Sequence, residues 1–141
     1  MELDIKNYDL GVQVLTPKIN ISKSKPGIVR AWHRHLRDQV DFFTVIKGTI
    51  KICVYDNNPV SKTFGTLVEI ISNEKKLQII KVPGHFWHGT KTIGSEESYT
   101  VYFINNLYDY DNPDEERILS NDLSIIDPRT KRPYDWDTVI E

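Results

Sequence analysis

The four histidines of the chain fall in two short segments, His33 and His35 within residues 26–35 and His85 and His88 within residues 80–89. Random placement rarely groups them so. Imidazole titrates near neutrality and offers both a donor and an acceptor nitrogen, so gathered histidines serve as general bases or as metal ligands. If residues 28–35 are extended, alternation puts His33 and His35 on one face and Arg30 on the other. Inside a barrel the histidine face is a cavity wall; outside it is surface, and spacing leaves both open. His88 opens a strand after the Pro83-Gly84 turn and is the candidate to join the first pair. His85, inside that turn, reads more simply as a residue satisfying turn hydrogen bonds.

A third group lies in residues 98–110. Alternation there puts Tyr102 and Ile104 on one face, with Val101 and Phe103 on the other. A tyrosine facing a cavity can donate its phenolic proton as a general acid; on a half-buried strand it only packs. Tyr108, Tyr110, Trp32 and Trp87 either stack on a planar ligand or fill space at a barrel mouth. Asp41 adds a carboxylate, so that His33, His35, Asp41 and His88 form a nitrogen and oxygen set suited to Fe, Mn, Ni or Zn.

The elements that must position these groups read as strands. Short runs rich in Val, Ile, Thr, Tyr and Phe recur between Gly, Pro, Asn and Asp clusters, which is the pattern of an all-β sandwich or barrel, with almost no helical periodicity. Strands are expected over 10–15, 28–35, 40–46, 49–55, 63–71, 77–82, 87–92 and 99–105. Lys47-Gly48, residues 56–59, Asn73-Glu74 and residues 93–95 read as hairpin turns. Asn112-Pro113 followed by acids suits the start of one short helix. The rest of the tail reads as an irregular flap anchored by Tyr134 and Trp136.

Composition sets the bounds. The chain has 141 residues, 39% hydrophobic and 27% charged, which fits one globular domain spanning 1–141 with a core of its own. Its net charge of −2 contains no basic stripe, so no nucleic-acid partner is expected, although one anionic small molecule could bind. The single cysteine, Cys53, lies in an apolar run and reads as a buried, reduced thiol. Polar residues follow Met1 directly and no apolar run is long enough to span a membrane, so no membrane partner and a cytoplasmic location are expected. The acids of 109–116 and the bases of 129–132 read as solvated surface charge.

Several stretches together resemble one family. They are Arg30-Ala31-Trp32-His33, Val82-Pro83-Gly84-His85-Phe86-Trp87-His88-Gly89, Tyr102 with Tyr108, Asn112-Pro113-Asp114-Glu115-Glu116-Arg117 and Tyr134-Asp135-Trp136. Their order and spacing, from about Gly27 to Trp136, are similar to those of dTDP-4-dehydrorhamnose 3,5-epimerases. The resemblance implies a cupin jelly-roll barrel (a double-stranded β-helix), a homodimer, and epimerisation of a nucleotide-linked 4-keto-6-deoxyhexose without cofactor. It implies His33 as the base and Tyr102 as the acid, with Arg30, His35, His88 and Tyr108 around the nucleotide sugar.

The family pairs its base with an aspartate from a C-terminal stretch; here Asp41, Asp135 and Asp137 are the candidates, and spacing selects none. Where the family carries a lysine on the strand after the base, this sequence has Asp41. Three other readings stand beside the epimerase: a metal cupin built on His33, His35, Asp41 and His88, a sugar-nucleotide 3,4-ketoisomerase, and a non-catalytic sugar-nucleotide binder.

Overall fold

A computed structural model describes residues 18–138. Eight strands form two sheets: β1 Lys18–Ser24, β2 Val29–Arg34, β3 Val40–Lys47, β4 Thr49–Tyr55, β5 Leu67–Asn73, β6 Ile80–Pro83, β7 Trp87–Ile93 and β8 Ser98–Ile104. Three two-residue strands follow in the tail, β9 Glu116–Arg117, β10 Ile126–Asp127 and β11 Arg132–Pro133. One sheet has the order β1-β8-β3-β6 and the other β5-β4-β7-β2-β9, and they pack as a sandwich of the cupin jelly-roll type. No helix occurs among the described residues, so none there is long and apolar enough to cross a membrane.

Three of the four expected hairpins are sheet crossings instead. β3 and β4 lie in different sheets, as do β7 and β8, so the Lys47-Gly48 and 93–95 turns carry the chain from one layer to the other. Asn73-Glu74 likewise leads β5 towards β6 in the opposite sheet. Only residues 56–66 close a hairpin, between the paired strands β4 and β5. Gly48 is required at its corner: φ is +72°, and an added Cβ would run into the Glu97 carbonyl. A turn signal identifies where a strand ends, not which sheet receives the next one, and that is why these corners read as hairpins.

The expected strand over 10–15 lies outside the described residues. The strand over 63–71 begins later, at Leu67, because the Asp56 carboxylate holds Ser61 and Thr63 in the preceding loop. β1 was absent from the sequence reading. Its polar residues Asn20, Ser22 and Ser24 face inward while Ile19 and Ile21 face out, the reverse of the usual pattern, and the strand is held by seven register pairs with β8.

β4 is buried on both faces. Ile50 and Ile52 join Phe43, Val45 and Val82 between the sheets. Cys53 and Tyr55 join Trp32, Trp87, Ile125, Tyr134 and Trp136 in a second core beneath the tail. Trp32 packs on Trp136 at 4.9 Å and edge-on against Tyr134 at 5.6 Å. Both indole N–H groups donate to the Ser120 carbonyl. The tail is therefore anchored through its aromatics, as expected. Trp32 and Trp87 are core residues rather than ligand-stacking groups at a mouth.

Candidate active site

Between the sheets lies a cavity of about 570 Å³. Its walls alternate as strand geometry requires. β8 contributes Ser98, Thr100, Tyr102 and Ile104; β1 contributes Asn20, Ser22 and Ser24; β7 contributes Thr90 and Thr92. The floor is hence rich in hydroxyls, with Thr92 and Ser98 hydrogen-bonded to each other at 2.7 Å. Lys18, Arg30 and Arg117 bring positive charge to the same lining.

Arg30, His33, His35, Tyr102 and Tyr108 all line this one cavity. That corrects the expectation that Arg30 faces away from the histidines. On β2, Arg30 pairs with Thr90 and His33 with His88, so Ala31 and Trp32 together oppose the single Gly89. The extra residue is a bulge, which breaks the alternation and returns both side chains to one side. Arg30 is then held by donating from Nε to Ser24 Oγ at 3.0 Å.

His33, His35 and His88 converge. The His33 and His88 rings meet edge-on at 4.4 Å, and His35 lies 5.5 Å from His88. His85 is exposed in the β6–β7 turn, stacked against Phe86 and away from the cavity. Withdrawal from water, then the neighbouring His88 and His35, lowers the His33 pKa to about 3, so this imidazole is neutral. Burial also opposes charge on His35, but hydrogen bonds to the Asp41 carboxylate and the Asp114 carbonyl outweigh it and raise the pKa.

Asp41, from β3, is the carboxylate at the centre, 4% exposed. Its Oδ2 lies 3.0 Å from His88 Nε2 and 3.3 Å from His35 Nε2, and Gln39 donates to Oδ1. Burial would raise its pKa, yet these hydrogen bonds hold it well below the usual carboxylate range. Of the three aspartates considered as partners of the base, only Asp41 lines the cavity, and its hydrogen bonds go to His35 and His88 rather than His33. Asp137 is a surface residue paired with Lys91.

Tyr102 stacks on Phe43 at 5.9 Å from the sheet facing His33. Burial, then the charge of Asp41, raises its pKa, which keeps the phenol protonated. Tyr108 is 41% exposed and lies at the rim, with the Lys18 ammonium 5.4 Å from its ring centre.

Sequence reasoning missed Asp114. The segment expected to be a helix after Asn112-Pro113 is extended and leads into β9, which pairs with β2. Helix-start chemistry is outweighed there by docking. The Asp114 carboxylate accepts the backbone N–H groups of Leu36 and Arg37, each at 2.8 Å, and its carbonyl accepts His35 Nδ1. Asp114 and Glu115 thus line the cavity instead of forming solvated surface. No local signal marks this, because the partners are more than 70 residues away. Arg129, another residue read as free surface charge, is bound to Asp127 and Glu69.

The chain matches the model of the dTDP-4-dehydrorhamnose 3,5-epimerases over residues 4–129. It is 48% identical over 97 residues to Agl13 of Haloferax volcanii, described as a probable low-salt glycan biosynthesis epimerase, covering 69% of this chain and 62% of the relative. It is 30% identical to the spore coat polysaccharide biosynthesis protein SpsL of Bacillus subtilis, covering 83% and 72%. The crystal structure of dTDP-4-dehydrorhamnose 3,5-epimerase from Elizabethkingia anophelis superposes with a TM-score of 0.70 at 26% identity, covering 92% of this chain and 66% of that one. The chain thus spans under two thirds of the Haloferax relative's length and about two thirds of the Elizabethkingia protein's. With the jelly roll, the paired histidine segments and the match across most of its length in agreement, the chain belongs to the dTDP-4-dehydrorhamnose 3,5-epimerase family.

Proposed function

We propose that the chain is an isomerase that epimerises a nucleotide-linked 4-keto-6-deoxyhexose at carbon 3, carbon 5 or both. The observation that carries this reading is a neutral His33 and a protonated Tyr102 on facing walls of one hydroxyl-lined cavity. The C4 carbonyl acidifies the adjacent C–H bonds. His33 removes a proton from one face of the ring, the charge moves onto the C4 oxygen, and Tyr102 returns a proton from the other face. Positively charged and N–H donors around the cavity stabilise the enolate, a task that fixed donors perform well in a site shielded from water.

The binding roles follow from position. Arg30, His35 and Tyr108 line the cavity around the substrate, whereas His88, expected beside it, is 1% exposed and outside the lining, and acts on the site through its hydrogen bond to Asp41. Lys18, Arg30 and Arg117 supply the charge that a diphosphate needs, and the serines and threonines of the floor suit a sugar. No cofactor enters this chemistry. The molecule would act in the cytoplasm, without nucleic acid or membrane, as a homodimer. The outer face of the β1–β8 sheet supports the dimer, since it carries Ile19 and Ile21 at 60% and 70% exposure.

The test is incubation with a dTDP-4-keto-6-deoxyhexose in deuterated water. Label at carbons 3 and 5 marks a double epimerase and label at one carbon a mono-epimerase. Migration of the carbonyl to carbon 3 would instead mark a ketoisomerase, and absence of any exchange would leave a binding protein.

A further inference from the structure

We propose that Trp136, in the C-terminal tail, is a positioning residue for the site: through Trp32 it fixes the bulge in β2 that sets Arg30 and His33 on one wall of the cavity. Around the bulge, Arg30, Ala31 and His33 line the cavity, whereas Trp32 points the other way into the second core and is 1% exposed. On the β7 side, Ala31 and Trp32 share the single partner Gly89. The fit there is close, since a Cβ added at Gly89 would lie 2.3 Å from that of Ala31. A bulge leaves its extra residue without a ladder partner on that side, so its place must be set from elsewhere.

The tail sets it. On its other edge β2 pairs regularly, Arg34 with Glu116 and His33 with Arg117. Trp32 then exchanges both backbone hydrogen bonds with Ile118, at 3.2 and 3.1 Å. The nearby Ser120 carbonyl accepts the indole N–H of Trp32 at 3.2 Å and that of Trp136 at 3.1 Å, and the two rings pack at 4.9 Å. Trp136 is itself pinned: the buried Lys51 ammonium donates to its carbonyl at 2.8 Å and to that of Thr138 at 2.9 Å. One chain of contacts thus runs from β4 through the tail to the bulge. A shift of Trp32 carries its neighbours with it, and a displacement of about 1 Å at reacting groups costs on the order of 10²-fold in rate. The effect on rate rests on the epimerase reading; the placement of Arg30 and His33 does not.

The test compares Trp136→Leu, Trp136→Phe and, as a control in the other core, Val45→Ala. Turnover of a dTDP-4-keto-6-deoxyhexose is measured beside NMR of the Arg30 Nε–H and the His33 ring. A chain that is only less stable holds fewer active molecules, which lowers apparent kcat and leaves KM unchanged. Trp136→Leu is expected to lower kcat on the order of 10-fold or more and to raise KM as well, because Arg30 moves with His33. Trp136→Phe, which keeps a ring against Trp32, should recover most of both, and Val45→Ala should leave KM at the wild-type value. Trp136→Leu should also shift the Arg30 Nε–H signal, which reports the bond to Ser24, and the His33 ring signals, while those of His85 stay in place. Unchanged KM with unmoved Arg30 and His33 signals would overturn the positioning role and leave Trp136 a residue of stability alone. Absence of turnover in the wild type would remove the epimerase reading, and the NMR signals alone would then decide the placement.

Discussion

Among single residues, His33 as the proposed base and Tyr102 as the proposed acid would control different steps, and this makes them separable. A base alone can exchange the ring proton on one face; inversion also needs an acid on the other. His33→Gln is therefore expected to reduce both deuterium exchange and epimerisation by about 10²–10⁴-fold while nucleotide-sugar binding persists. Tyr102→Phe is expected to retain exchange with the original configuration and lose inversion, as followed by NMR of the recovered sugar. Equal loss of both activities in Tyr102→Phe would place the acid elsewhere. Asp41 sits beside this pair where the family resemblance implied a lysine, so enolate stabilisation must come from the imidazoles and arginines around the cavity rather than from an ammonium on β3.

Among elements, the strands built on alternating apolar residues were legible in the sequence almost residue by residue. β3, β4 and β7 fall within one residue of their expected bounds. The elements that escaped depend on distant partners. β1 turns its polar side inward, the bulge in β2 reverses Arg30, and the 112–117 segment gives up a helix to pair with β2. The histidine cluster was legible because both strands carry it in their own sequence; the Asp114 support was not. β10 offers a test of how such short elements are held. Asp127 accepts from the Arg129 guanidinium and backbone, and these bonds depress its pKa. A depressed carboxylate stabilises the fold above its unfolded pKa near ~4 and loses that contribution as pH falls below it. Melting curves should thus show the wild type losing stability from about pH 4 downward, more steeply than Asp127→Asn, which should be weaker at neutral pH and flatter in acid.

Across the whole molecule, the second core joins the tail to the β5-β4-β7-β2-β9 sheet. Trp136, 7% exposed and stacked on Trp32, should cost about 3–5 kcal/mol of stability when replaced by alanine, measured by urea denaturation. The proposed dimer would form through the outer face of β1 and β8. Ile21→Asp should convert a dimer to a monomer in light scattering without disturbing the strand, because residue 21 already faces outward. A wild-type chain that is monomeric at micromolar concentration would remove the dimer from the functional reading.

Cys53 lies under this same tail, fully buried beside Tyr134, and burial pushes its thiol up to about 12. Such a sulfur resists alkylation until the flap lifts. The chain therefore carries its own reporter: the rate at which a disulfide reagent labels position 53 under native conditions measures how often the C-terminal strap opens, separately from global unfolding. Labelling that keeps pace with global unfolding would mean that strap and sandwich open only together.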